Sequence, residues 1–143
     1  MQYQSFQNGY FVRLERGERV TESLHRFFQH QQVTAGLIQA LGALESVRLG
    51  YFDRERKQYL EKEFSGVYEL LSFQGNVALV ETEPFLHAHA VLGAADYLTY
   101  GGHFIEGIVA VTMEVVVLTF PLEIHRRLDE KTGLRLWDMP TKA

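Results

Sequence analysis

The chain has 143 residues, 46% of them hydrophobic and 22% charged, with a formal net charge of -4 and a pI near 5.8. That composition suits one domain with enough apolar side chains to bury a core. It lacks the basic excess of proteins that hold nucleic acid chiefly through phosphate contacts. With no cysteine present, disulfides and thiolate metal sites are excluded, and any metal centre has to use His, Asp or Glu.

The first twenty residues, MQYQSFQNGYFVRLERGERV, lack the basic start and apolar stretch of a signal peptide, so the cytoplasm is the expected location. No apolar run approaches the roughly 20 residues that a membrane helix needs. There is no linker, repeat or low-complexity segment, which predicts a single domain over 1–143. YFVRLE at 10–15 alternates as a strand does. In GERVTESLHRFFQHQQ, Val20, Leu24, Phe27 and Phe28 form a stripe with a period near 3.6, the one clear helix. Gly17 precedes it, and Glu18 and Glu22 lie near its positive end. His25 and His30 fall on or beside this helix and read as exposed or half-exposed.

Beyond the helix the chain reads as strands at 34–53, 57–64, 67–75, 84–93 and 108–120, rich in β-branched and aromatic residues. Glycines at 36, 42 and 50 mark bulges or close backbone approach in the first of these. Short connections favour antiparallel neighbours. The expected class is α+β, one main helix on a mostly antiparallel sheet. A single helix cannot cover both faces of a wide sheet, so GLIQALGALESV and AVTMEVVVLTF are candidates for buried or subunit-interface surface.

Polar residues on apolar strand faces carry more information, because burying them is costly unless they are paired. In VYELLSF, Glu69 shares a face with Val67, Leu71 and Phe73 by alternation. In AVTMEVVVL, Glu114 shares a face with Thr112 and Val116. Each is either a structural ion-pair partner or a carboxylate whose raised pKa suits proton transfer. Two basic groups, Arg54, Arg56 and Lys57, and Arg126 with Arg127, have acidic neighbours and read as solvated surface.

Half of the six histidines lie in FLHAHAVLGAADYLTYGGH at 85–103. On a strand His87 and His89 point to the same side, roughly 6.6–7 Å apart. Turn material at Gly93, Ala94, Ala95 and Asp96 lets the chain double back, and Gly101 and Gly102 allow close approach just before His103. Two readings stand: three imidazoles that hold a metal ion with one coordination position open, or histidines hydrogen-bonded to one another or to carboxylates.

The stretches GERVTESLHRFF, GVYELLSFQGNVAL, PFLHAHAVL and GGHFIEGIVAVTMEVVV together resemble the PPC domain, the "plants and prokaryotes conserved" or DUF296 family, over nearly the whole chain. The resemblance implies an α+β fold, related to that of the zinc enzyme acetolactate decarboxylase, and a compact homotrimer. It also implies a divalent metal, zinc first, on His87, His89 and His103. Glu69, Glu106 and Glu114 are then candidates for proton transfer or for supporting the ligands. Plant members bind A·T-rich DNA through AT-hooks preceding this domain; this sequence contains no Arg-Gly-Arg-Pro hook, so DNA binding is expected to be weak at most. Three functions follow as alternatives: a metal protein acting on a small molecule as lyase or hydrolase, a DNA-associated regulator, or an assembly module with structural histidines.

Overall fold

The computed structural model describes residues 1–140. The elements run β1 (Gln2–Phe6), β2 (Gly9–Glu15), α1 (Val20–His30), β3 (Gly36–Asp53), β4 (Gln58–Val80), β5 (Glu83–Gly93), β6 (Thr99–Thr119), β7 (Arg126–Asp129) and β8 (Leu134–Trp137). The expected α+β class holds: every ladder is antiparallel and α1 is the one helix among the described residues. The predicted strands at 57–64 and 67–75 are one continuous strand, β4. A bulge opposite Ser46 takes up the extra residues between them, with Gly66 at φ +94, where a Cβ would be strained. β6 begins nine residues earlier than its valine-rich core suggested. Alternation did not reveal β1, β7 or β8, which are short or polar.

The sheet order is β1-β2-β6-β3-β4-β5, and β5 returns to pair with β6. Strands β3, β4, β5 and β6 therefore close into a small barrel, which removes two strand edges. Its interior holds Leu44, Leu70, Phe73, Leu92, Val109 and Met113, each at most 2% exposed. Helix α1 packs across β5 and β6. Its stripe of Val20, Leu24, Phe27 and Phe28 is buried as predicted, each side chain contributing roughly 1.5–3 kcal/mol of transfer free energy. His25 and His30 stay on the wetter side.

Helix α1 has no side-chain cap of its own at Arg19. The carboxylate of Glu106, reaching from β6, accepts the Thr21 N–H at 2.9 Å and the Gly107 N–H at 2.9 Å. Arg19 lies 3.6 Å from its other oxygen. Glu106 thus satisfies a helix N-terminus from another element. We expect Glu106→Ala to lower stability by about 0.5–2 kcal/mol in urea titration, as loss of a cap does, while metal content stays unchanged.

The outer face of the sheet is apolar in one region. Phe11 (57% exposed), Leu41 (59%), Leu71 (49%) and Val111 (66%) line adjoining grooves on β2, β3, β4 and β6. Among the described residues no helix is long and apolar enough to cross a membrane.

Candidate metal centre

Strand β5 alternates Ala88 and Ala90 into the barrel core, so His87 and His89 project from the opposite, outer face together with Phe85. Strand β6 lies beside it with His103 directly opposite His89. The sequence left open whether His103 comes back to the pair; the pairing of β6 with β5 brings it there. The three rings form a near-equilateral cluster, with centroids 5.4, 5.2 and 5.6 Å apart. One nitrogen from each ring lies within 4.8 Å of the others.

Two close approaches make the placement possible. A Cβ on Gly75, opposite Ala88, would sit 2.6 Å from the His87 carbonyl oxygen. A Cβ on Gly102 would sit 3.0 Å from the Gly50 carbonyl oxygen, beside His103. Small residues at these points let β4 and β3 press against the histidine-bearing strands.

The site is electrostatically suited to a cation only in part. Burial, and then the charges of His87, His89 and Arg126, push the His103 pKa down to about 4. Burial, Arg126 and His89 lower that of His87. Both rings are therefore neutral at pH 7, the form that ligates metal. His103 Nδ1 is buried without a hydrogen-bond partner among the described residues, which an ion or ligand would supply. The ring of Tyr59 stacks on His103 at 4.6 Å and 25°. The residues present fit a divalent ion: three converging imidazoles, one with an orphaned nitrogen, on a partly open face.

These depressed values set a pH dependence for the metal-free protein. An unfolded histidine titrates near 6.5. Between about pH 6.5 and 4 the unfolded chain takes up a proton at His103 that the folded chain does not. Stability is therefore full above pH 6.5 and falls as pH drops through that window. His103 is only half-buried, and after discounting for solvent screening the loss is about 1–2 kcal/mol. The urea midpoint of chelator-treated protein should fall between pH 7.5 and 5; a flat profile contradicts this.

The main correction to the sequence reading is Arg126. Read as solvated surface, it is in fact only 8% exposed. The β7–β8 hairpin carries it onto the histidine face, anchored by Leu79 N–H to the Ile124 carbonyl (2.7 Å) and by Lys57 Nζ to the Glu130 carbonyl (2.7 Å). Arg126 Nη1 donates to the Arg135 carbonyl at 2.8 Å, and Nη2 donates to Asn76 Oδ1 at 2.8 Å and to His87 Nδ1 at 3.2 Å. The guanidinium lies 5.6 Å from the ring centre of Phe85 and 5.8 Å from that of Trp137. Asn76 is the cross-strand partner of His87. Arg126 shares a strand side with Ile124 and Leu128 by alternation. That is the same polar-on-apolar pattern that drew attention to Glu69, and it was the available signal.

The three carboxylates do not join the histidines. Glu69 is exposed because β4 shifts register between Leu70 and Ser72, which turns Leu70 and Phe73 inward and Glu69 and Leu71 out. It lies about 15 Å along β4 from Gln74, the partner of His89. Glu114 is exposed as well, opposite Leu41 and Arg13. Glu106 is committed to α1.

A closed antiparallel barrel with one helix and a cluster of three histidines on its outer face defines the class. Within that class, the chain belongs to the Plants and Prokaryotes Conserved domain family (PPC, also abbreviated PCC), whose model matches residues 1–121. A PPC protein of Pyrococcus horikoshii is similar at 33% identity and TM-score 0.87, covering 99% of this chain and 97% of that one. A metal-containing protein of Archaeoglobus fulgidus is 34% identical with TM-score 0.85, over 97% and 100% of the two chains. A structure from Bacteroides thetaiotaomicron, described as a candidate DNA-binding protein, is 26% identical with TM-score 0.93 over 96% of each chain. The bifunctional protein GlmU of a Synechococcus species is 28% identical over 127 residues, 87% of this chain, but the chain spans only 19% of that protein's length. The family match ends before β7, so Arg126 lies outside it.

Proposed function

We propose that this protein is a divalent-metal-binding PPC protein, with zinc as the preferred ion, that assembles as a homotrimer. The observation that carries the metal reading is the convergence of His87, His89 and His103 from two paired strands, with ligating nitrogens within 4.8 Å. The Archaeoglobus relative, called metal-containing, supports it. Three borderline-soft nitrogen ligands suit zinc and leave a fourth position open. An ion so held supplies Lewis-acid polarisation of a bound oxygen. The chain's own contribution is to hold the ligands: Tyr59 packs flat against His103, and the barrel fixes the strand pairing. The trimer is supported by the exposed apolar face around Leu41 and Val111 and by the family resemblance. Elemental analysis of protein purified without chelator should find about one divalent ion per chain; protein that stays metal-free after incubation with zinc overturns the reading.

The DNA-associated reading rests on the description given to the Bacteroides relative. Here the net charge is -4, Arg56 pairs with Asp53 at 3.0 Å, and Lys57 is held by the Glu130 carbonyl. We expect mobility shifts to show only weak binding, abolished by moderate salt and equal for A·T-rich and G·C-rich duplexes. Tight, sequence-selective binding reverses the order of the two readings.

A further inference from the structure

We propose that the histidine centre and Arg126 together bind a small carboxylate ligand, one oxygen at the open coordination position and the other on the guanidinium. The proposal rests on the metal reading above and goes beyond it by naming the class of ligand.

A guanidinium can only donate, so in the structure His87 Nδ1 accepts from Arg126 Nη2. A neutral imidazole has one lone pair and one N–H. If Nε2 of His87 ligates an ion, Nδ1 carries the proton and faces Arg126 donor to donor. If Nδ1 ligates, its lone pair is already used. Whichever ring nitrogen binds, Arg126 loses this acceptor on metal loading. Arg126 Nε–H is buried and already lacks an acceptor among the described residues. Loading thus leaves two donors of one guanidinium unsatisfied beside the ion, and buried donors without partners are costly.

Three neutral imidazoles leave a divalent ion with its full charge, and Arg126 adds one more. The hydrogen-bond acceptors of Arg126 are a carbonyl, an amide oxygen and an imidazole, none of them anionic. Acidic groups on and beside the hairpin are engaged elsewhere: Asp129 accepts from the Thr132 N–H and hydroxyl, Asp138 pairs with Arg127 at 2.8 Å, and Glu123 is hydrogen-bonded to His125 at 3.2 Å. A partly buried positive site of this kind is offset by an anion.

The shape of the guanidinium selects the anion. A planar guanidinium held among Phe85, Trp137 and Asn76 is preorganised for a planar carboxylate. Phosphate sites ordinarily recruit several cations or a run of backbone N–H groups, and here a single arginine serves.

The test uses the full chain loaded with cobalt(II), whose visible absorption reports the coordination shell, titrated with acetate at constant ionic strength. Cobalt content is measured on every sample. The wild type should show a saturable spectral change. Arg126→Gln should weaken the acetate dissociation constant by about 10- to 100-fold while cobalt stoichiometry stays within twofold. Arg126→Lys should fall between the two, since it restores charge but not the planar fork. Phosphate should compete at least tenfold less well than acetate on the wild type, an arm that does not depend on any variant folding. A wild type that fails to hold cobalt removes the metal reading and this proposal with it. Cobalt held normally with no acetate response, with equal response in Arg126→Gln, or with phosphate preferred, overturns the carboxylate site alone.

Discussion

His103→Ala should lower bound metal from about one ion per chain to less than about 0.1 after dialysis, while the barrel stays folded. His103 is the ligand to choose. It stands opposite His89 across the β5–β6 ladder, stacks on Tyr59, and carries the buried nitrogen without a partner. Removing one of three protein ligands leaves two, and the affinity loss should exceed the roughly 100-fold that even an outer-shell change can cause. The fold should survive because the histidines project from the outer face, and the core beneath them is built from Phe73, Leu92, Phe104 and their neighbours. Metal analysis paired with circular-dichroism melting of chelator-treated protein checks both halves. If the variant keeps its ion, the ion is bound elsewhere. If it unfolds without metal being involved, the histidines are structural, the alternative that the sequence left open.

Leu41→Glu and Val111→Glu should each reduce the light-scattering mass from about three times the 16.5-kDa chain to about one times it at micromolar concentration. Leu41 is 59% exposed on β3 and Val111 66% exposed on β6, and both line one groove with Leu71. Isolated exposed apolar residues are ordinary on a monomer, but a contiguous group marks an interface. In a symmetric assembly each substitution enters every interface, so three carboxylates are desolvated together. Because the positions are exposed in the single chain, its own stability should change by no more than about 0.5 kcal/mol. An unaltered mass in both variants would show that this face is not where the copies meet.

Much of the fold was legible because it follows from local periodicity. The 3.6-residue stripe of Val20, Leu24, Phe27 and Phe28 placed α1, and the strand patterns placed β2, β3 and β5 to within about two residues, while finding β4 in two pieces and only the later half of β6. The His-x-His spacing put His87 and His89 on one side of β5, since a strand's geometry dictates it whatever packs nearby. The glycines of β3 suggested bulges, bends or close backbone approach: Gly42 sits at a register shift, and a Cβ on Gly36 would lie 2.9 Å from the Leu118 carbonyl oxygen.

What the sequence could not decide was which side of each strand would be covered, because that depends on pairing across the chain. Strict alternation placed Glu69 with Phe73, and a bulge between Leu70 and Ser72 undid it by turning the strand over. Glu106 was a candidate for proton transfer or ligand support, and the packing of α1 above it commits its carboxylate to the helix N-terminus instead. Arg126 looked solvated because its sequence neighbours are charged, yet the hairpin at 126–137 folds it under Trp137 and against His87, 39 residues away. The sequence by itself determined the elements and the kind of ligands, through short-range geometry. Only the tertiary structure brought His103 to the pair and an arginine to the site, because those neighbours are set by long-range strand pairing that no local pattern encodes.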